Sequence, residues 1–264
     1  MGSPDVELRA YEQARYAVPH NILRSEEIYG EGFQSPGGLA GFEKILLSGM
    51  SVSADMRVLD IGAGLGGAAF HVAGTTGAEV VGVDLAEVMV ELANERRKGG
   101  ESNGRVRFIL GSAFVDELAG HSFDVIYSRD SLLYEHDKAG LFRRCRELLK
   151  PGGRLHISDF CAGGRTPEFE EYIDVSGYSL PTIEEYRQLL VDAGFTDVSG
   201  VDLSELTGEF LRADLERYRG KVAGDGSISA EDAAHVVERW QRKIDFIAAG
   251  SLTQGLFAAT VPAE

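Results

Sequence analysis

Residues Arg57 to Gly67 read RVLDIGAGLGG, and the fold follows from how this stretch is parsed. Arg57-Val-Leu-Asp-Ile61 is a short apolar run and predicts a buried strand. Gly62, Gly64, Gly66 and Gly67 follow at once and predict a tight turn into a helix over Ala68–Gly74. Glycine at these places lets the backbone come within contact distance of a ligand. A second apolar strand, Glu79–Val83, ends in Asp84, an interval of 24 residues from Asp60 and about right for one βαβ unit. Asp84 is thereby placed to accept hydrogen bonds from ribose hydroxyls. Gly62, Gly64 and Gly67 also satisfy the dinucleotide fingerprint GxGxxG, so the glycines alone leave the nucleoside open.

Two features favour S-adenosylmethionine (SAM) over a dinucleotide. Asp60 sits at the carboxyl end of its strand, where a carboxylate suits a cationic ligand and gives a pyrophosphate nothing. Further on, Leu148-Leu-Lys-Pro-Gly-Gly-Arg-Leu155 supplies a helix, a turn and a fifth strand. VLDIGAGLGG, GVDL and LLKPGGRL, in that order, resemble the class I SAM-dependent methyltransferases. The resemblance implies an α/β, Rossmann-like fold, with a seven-stranded, mostly parallel sheet and a helical lid. The cofactor-binding residues it implies are Ser35, Asp60, Gly62, Gly64, Asp84, Leu85, Ser112, Ala113 and Arg129. Ser112 stands where the superfamily often has an acid for the adenine amino group, and Ser35 is read equally well as a turn residue capping a helix.

Composition narrows the class of function. A chain of 264 residues can bury one large core, and the spacing of elements favours a single domain over 1–264, with lid segments at 1–38 and 204–250. A formal charge of −16 repels phosphate backbones, which favours a small-molecule acceptor over DNA or RNA. Cys145 and Cys161 are the only cysteines; Cys145 reads as a small core residue, Cys161 as lying at a strand end, and the two make no disulfide framework. No cationic segment precedes an apolar run at the N-terminus and no apolar stretch approaches the length of a membrane span. The expectation is a cytoplasmic enzyme, monomer or homodimer, that needs no metal.

Along the chain, residues Pro4 to Gly30 read as helical in two pieces broken near Pro19, and Asp5–Ala17 is a candidate lid. The loop Ile28–Gly38 carries Tyr29, Gln34 and Ser35 among glycines, and a helix is expected over Leu39–Gly49. A helix over Glu87–Arg97, a third strand over Val106–Leu110 and a fourth over Phe123–Ser128 follow. In an open parallel sheet the ligand crevice lies beyond the carboxyl ends of the strands, so Arg129–His136 borders the site. Asp130, Tyr134, Glu135 and His136 are the first catalytic candidates, against the plainer reading of a helix cap at Asp130 and a solvated turn beyond it. Lys138–Leu149 is amphipathic. Pro181–Gly194 is a capped helix, with Thr182 at the N-cap and Glu185 three residues later. Phe195–Leu203, the helix Ala230–Ala248 and a final antiparallel strand Leu256–Val261 complete the pattern.

A narrower resemblance covers nearly the whole chain from Glu26. EIYGEGFQSPGG, VLDIGAGLGGAAF, ANERR, IYSRDSLL, LLKPGG, ISDFCA and GYSLPTIEEY, in one order, resemble the phosphoethanolamine N-methyltransferases of plants, nematodes and malaria parasites. It implies a helical lid over Ser204–Gly250 and an acceptor pocket with an amine at one end and a phosphate at the other. By position Asp130 matches the acid near the amine, Tyr172 and Tyr178 match phosphate-side tyrosines, and Lys243 matches a phosphate-binding lysine, with Arg242 beside it. Tyr134 stands where malarial members have a histidine, and Tyr16 best matches their N-terminal tyrosine. Phe160 replaces a pocket tyrosine and Ser176 replaces a phosphate-binding arginine. Two acceptors stay open: a small amine methylated on nitrogen beside Asp130, or an isoprenoid diphosphate such as isopentenyl diphosphate methylated on carbon. The second would use Lys243, Arg242, Tyr172 and Tyr178 for the anion and Tyr16, Tyr134 and Phe160 for an apolar, cation-tolerant cavity.

Overall fold

The computed structural model describes residues 25–99, 104–120, 122–222 and 230–263. Tyr16 and the candidate lid helix Asp5–Ala17 lie outside the described residues.

Strand β1 (Arg57–Ile61) turns through the glycines into α1 (Gly67–Thr76), then β2 (Glu79–Asp84), α2 (Glu87–Gly99) and β3 (Val106–Leu110). β4 (Phe123–Arg129), α3 (Lys138–Leu148) and β5 (Leu149–Ala162) form the second half. α4 (Pro167–Ser176), α5 (Ile183–Asp192), β6 (Thr196–Asp202), α6 (Ser204–Val222), α7 (Ala230–Ala248) and β7 (Leu252–Thr260) complete the chain. The seven strands make one sheet in the order β3-β2-β1-β4-β5-β7-β6. β1 to β5 run parallel, while β7 lies antiparallel between β5 and β6. Strand order therefore reverses between β1 and β4, which opens a crevice above their carboxyl ends.

Period-two alternation divides the core between the two faces. Leu59 and Ile61 of β1 join Phe123, Phe142, Tyr186 and Phe257 on one side. Val58 joins Phe42, Leu46, Val80 and Tyr127 on the other. Tyr186 and Phe257 stack at 4.1 Å between ring centroids. The capping box predicted for α5 is present, Thr182 accepting from the Glu185 backbone while the Glu185 carboxylate accepts from the Thr182 N–H. Between β6 and β7, α6 and α7 pack through Leu211, Leu215 and Ile244, with Trp240 and Ile247 against them. Among the described residues no helix is long and apolar enough to cross a membrane.

Several boundaries differ from expectation. The helix expected over Leu39–Gly49 is instead an α turn at Gly38–Gly41, a π turn at Phe42–Leu46 and a 3-10 turn at Leu47–Gly49. Gly38, Gly41 and Gly49 weaken regular propagation at both ends. A Cβ at Gly41 would lie 2.2 Å from the Pro36 carbonyl oxygen, so the segment packs closer than a standard helix allows. Helix α1 begins one residue earlier than predicted and runs to Thr76, where Gly77 at φ 78° ends it in a left-handed cap. β7 begins at Leu252 rather than Leu256, because β5 continues to Ala162 and offers it four further pairing positions, Asp159↔Gly255 to Ala162↔Leu252.

Candidate active site at the carboxyl ends of β1 and β4

The crevice is lined from β1 by Asp60 to Leu65, from β2 by Asp84 and Leu85, and after β3 by Gly111 to Ala113. Arg129 to Leu132 and Tyr134 line it after β4, and Gly32 to Ser35 cover it from the N-terminal loop. Every predicted cofactor residue, with Asp130 and Tyr134, thus reaches one cavity.

Local sequence builds the floor. Gly62 sits at φ 77°, and a Cβ there would lie 2.3 Å from the Ser131 side chain; only glycine fits. The Gly62 and Ala63 N–H groups both donate to Val83 O, which ties the β1 turn to β2. Asp84 accepts from Gly64 N at 2.8 Å and Ala86 N at 2.9 Å, one bond on each carboxylate oxygen. The carboxylate, with four lone-pair sites, keeps acceptor capacity toward the cavity. Burial is the largest influence on Asp84 and raises its carboxyl above the ordinary value despite those donors.

Asp60 is 3% exposed and lies opposite Tyr127 in the β1–β4 register. Tyr127 Oη donates to its Oδ2 at 2.8 Å. Burial pushes Asp60 up to about 7, the tyrosine bond offsets part of that, and nearby Asp84 adds to it. A buried carboxyl partnered by a neutral phenol is a site that a cation completes. Ser112 Oγ accepts from Phe114 N at 3.3 Å, a local turn at the edge of the cavity.

Arg129 has a role the sequence did not reveal. Its guanidinium is buried and donates to Gly38 O at 2.9 Å and Pro36 O at 2.5 Å. It therefore holds the loop that carries Gln34 and Ser35 over the cavity. Further charges on α2 and α6 hold the same loop. Arg96 of α2 makes a bidentate pair with Glu26, whose Oε1 also accepts from Gly32 N. Asp214 of α6 accepts from Gly37 N at 2.7 Å, and Arg217 donates to Ile28 O. The loop is fixed from three elements, which no local pattern in GEGFQSPGG encodes.

Asp130 sits at φ 51°, and its side chain is 8% exposed. Its Oδ1 accepts from Gln254 Nε2 at 2.9 Å, and its Oδ2 is 3.8 Å from Arg129 Nε. It does not cap a helix; Asp137 caps α3 by accepting from Gly140 N. Tyr134 is 7% exposed and packs edge-on against Tyr178 at 5.2 Å, and Tyr178 packs against Tyr172 at 5.7 Å. From α7, Lys243 Nζ lies 4.2 Å from the Phe160 ring centroid and the Arg242 guanidinium 5.4 Å from that of Tyr172. The structure thus gathers Tyr134, Phe160, Tyr172 and Tyr178 into one cluster with Lys243 and the exposed Arg242 against its rings, and of these Tyr134 lines the cavity while the others do not. His136 is exposed and lies in a separate cleft with Arg165 and Asp192.

Sequence reasoning also passed over Lys138 and Asp159. Lys138, 3% exposed, donates to the carbonyls of Leu132, Glu135 and Ser179 at 2.7–2.8 Å, which locks the loop bearing Tyr134 onto the segment bearing Tyr178. Asp159 is fully buried on β5 and is pushed up to about 7 by burial, against the pull of Lys138. Lysine at the start of an amphipathic helix reads as solvated from sequence, and only the tertiary fold brings three carbonyls to it.

Comparison with known proteins agrees with this geometry. Residues 52–194 match the family model described as a methyltransferase domain. The chain is 34% identical over 247 residues to phosphoethanolamine N-methyltransferase of Plasmodium falciparum, covering 89% of each chain. It is 39% identical over 241 residues to phosphoethanolamine N-methyltransferase 1 of Arabidopsis thaliana, covering 90% of this chain and 48% of that one. The chain spans about half the length of the curated plant relatives it matches. Haemonchus contortus phosphoethanolamine N-methyltransferase 2, solved with phosphomonomethylethanolamine and S-adenosylhomocysteine, superposes with a TM-score of 0.90 at 30% identity, over 97% of this chain and 60% of that one. On that family match and on the likeness to the Plasmodium enzyme over 89% of both chains, the chain belongs to the methyltransferase-domain family, in the group of the phosphoethanolamine N-methyltransferases.

Proposed function

We propose that the protein transfers a methyl group from SAM to the nitrogen of a small phosphorylated amine of the phosphoethanolamine class. The observation that carries this reading is the continuity of one cavity from the Asp60–Gly64 turn and Asp84 to Asp130 and Tyr134. Bound there, SAM supplies an electrophilic methyl on a sulfonium. The residues present fit it: Asp84 receives the ribose hydroxyls, Asp60 faces the cationic methionine end, and Gly62 and Gly64 leave room for the backbone to approach. Ser112 and Ala113 border the adenine, and Ser35 and Gln34 close the loop over the far end.

The chain's own part in the reaction is alignment, exclusion of water and proton handling. Methyl transfer is an in-line displacement, so holding the acceptor nitrogen about 3 Å from the methyl carbon supplies most of the acceleration. The nitrogen lone pair forms the new C–N bond while the S–CH3 bond breaks, and the nitrogen then sheds a proton. Asp130, which lines the cavity, is the carboxylate assigned to take it. The faces of Tyr134 and Tyr178 stabilise the ammonium that forms. Lys243 and Arg242 hold the phosphate at the other end, with Tyr172 and Phe160 beneath them. The two-helix insertion between β6 and β7 and the described loop 25–38 act as the lid over a single catalytic domain. The surface, at −16, suits a cytoplasmic enzyme of small metabolites.

The test offers labelled SAM with phosphoethanolamine and, separately, with isopentenyl diphosphate, followed by mass spectrometry of the products. Methylated phosphoethanolamine is the expected product. A methyl group on the carbon skeleton of the diphosphate, with none on nitrogen, overturns the amine reading while leaving the cofactor site intact.

A further inference from the structure

Asp130 is held by a residue from the far end of the chain, 124 positions away in sequence. Gln254 lies on β7 opposite Phe160 of β5, and its side chain is 1% exposed. Its Nε2 donates to Asp130 Oδ1 at 2.9 Å, and its Oε1 is buried without a partner among the described residues. The other Asp130 oxygen, Oδ2, is 3.8 Å from Arg129 Nε, beyond hydrogen-bonding distance. The two oxygens are therefore inequivalent: one is committed to the amide, and the other keeps its acceptor capacity.

Gln254 is itself fixed by the start of the two-helix insertion. Its N–H donates to Ser204 Oγ at 2.9 Å, and its carbonyl accepts from Leu203 N at 2.8 Å. Ser204 is the first residue of α6, and its Oγ donates in turn to Asp202 Oδ1. Helix α7 ends at Ala248, and β7 begins at Leu252. Both ends of the insertion thus converge within a few residues of Gln254. An amide on a paired strand moves little, so the place of α6 and the orientation of the Asp130 carboxylate form one hydrogen-bonded unit.

We propose that Gln254 is a positioning residue for methyl transfer: it turns Asp130 so that Oδ2 meets the acceptor nitrogen, and it ties that orientation to the seating of α6. The proposal deepens the N-methyltransferase reading above and rests on it. Loss of the amide donor frees Asp130 to rotate, which lowers turnover of the acceptor while the cofactor site, built on β1 and β2, is unaffected.

The experiment compares wild type, Gln254→Met, Gln254→Asn, Asp130→Asn and the double variant Gln254→Met/Asp130→Asn. Each is assayed for SAM affinity, melting temperature, and kcat and KM for phosphoethanolamine. Gln254→Met keeps the unbranched shape; Gln254→Asn keeps an amide but withdraws it by one methylene. Both are expected to lose about tenfold in kcat/KM, with SAM affinity within twofold of wild type. The double variant is expected to lose no more than Asp130→Asn alone, because Gln254 acts through Asp130. Losses that multiply in the double variant overturn the proposal, and so does wild-type kcat/KM in Gln254→Met and Gln254→Asn. If Asp130→Asn itself keeps wild-type turnover, the role given to Asp130 falls instead. A second readout is independent of turnover and of Gln254→Met folding. The side-chain amide resonance of Gln254 in 15N spectra should move in Asp130→Ala, and a resonance that stays in place refutes the contact.

Discussion

Replacing Asp60 by asparagine should change stability and cofactor affinity in opposite directions. In the folded protein the Asp60 carboxyl is pushed from its ordinary value of 3.8 up to about 7, first by burial, with Asp84 adding to it. Between those values the folded chain holds a proton that the unfolded chain has released, so stability falls as pH rises through the window and levels off above about 7. The amide of Asp60→Asn has no such proton, and its oxygen still accepts from Tyr127 Oη. Each pH unit is worth ~1.36 kcal/mol, so moving from pH ~5.5 to pH ~8 costs wild type ~2 kcal/mol that the variant does not lose. For a chain of this size that is ~4–8 °C in melting temperature. The lower pH stays clear of the sequence pI near 4.8. Calorimetry of both ligand-free proteins at the two pH values measures the gap directly, and titrating groups that do not interact with Asp60, such as Asp159, cancel in the difference. A gap that does not widen with pH refutes the reasoning. With SAM present the sign reverses: the variant should bind ~1.5–3 kcal/mol more weakly at pH ~8, having lost the carboxylate that faces the cationic end.

Three other perturbations test separate parts of the site. Gly62→Ala puts a Cβ within 2.3 Å of Ser131 at a left-handed φ, and calorimetric titration should find SAM binding weakened at least tenfold; binding within twofold of wild type would remove the turn from the site. Lys243→Ala should raise the phosphoethanolamine KM by at least tenfold, the worth of one charge-assisted contact at ~1.5–3 kcal/mol, and leave SAM affinity alone. An unchanged KM would sink the anion site. Arg129→Ala removes both bonds to the Pro36 and Gly38 carbonyls, so hydrogen exchange should accelerate across residues 32–38, with little change in the strands. Uniform exchange across the sheet would mean that Arg129 supports the core instead.

What the sequence made legible was everything governed by local pattern. Arg57–Ile61, Val106–Leu110 and Ala230–Ala248 appear at the predicted bounds because each has a single periodicity and a clear terminator. The convergence of Asp60, the glycine turn and Asp84 on one cavity was equally legible, since they lie within one βαβ unit. What stayed hidden depends on contacts between distant segments. Gln254 falls outside the strand expected over Leu256–Val261, yet it lies on β7 and meets Asp130. Arg129 reads as a ligand contact, yet its donors face Pro36 and Gly38, about ninety residues upstream. Lys138 reads as a surface lysine until three carbonyls converge on it.

The placement of β7 has a consequence for how the molecule comes into being. Synthesis delivers β1 to β6 first, but β5 and β6 share no edge until β7 arrives to lie antiparallel between them. A nascent chain lacking β7 leaves an unpaired edge on β5, with Ile157 to Ala162 open to another strand, and lacks the amide that holds Asp130. Insertion of a late strand between two earlier ones is a long-range event and intrinsically slow. A ribosome-bound intermediate paused before β7 should therefore be able to form the Asp60–Asp84 half of the cavity but not the acceptor half, and its exposed β5 edge is the place where a chaperone or a second nascent chain would first engage.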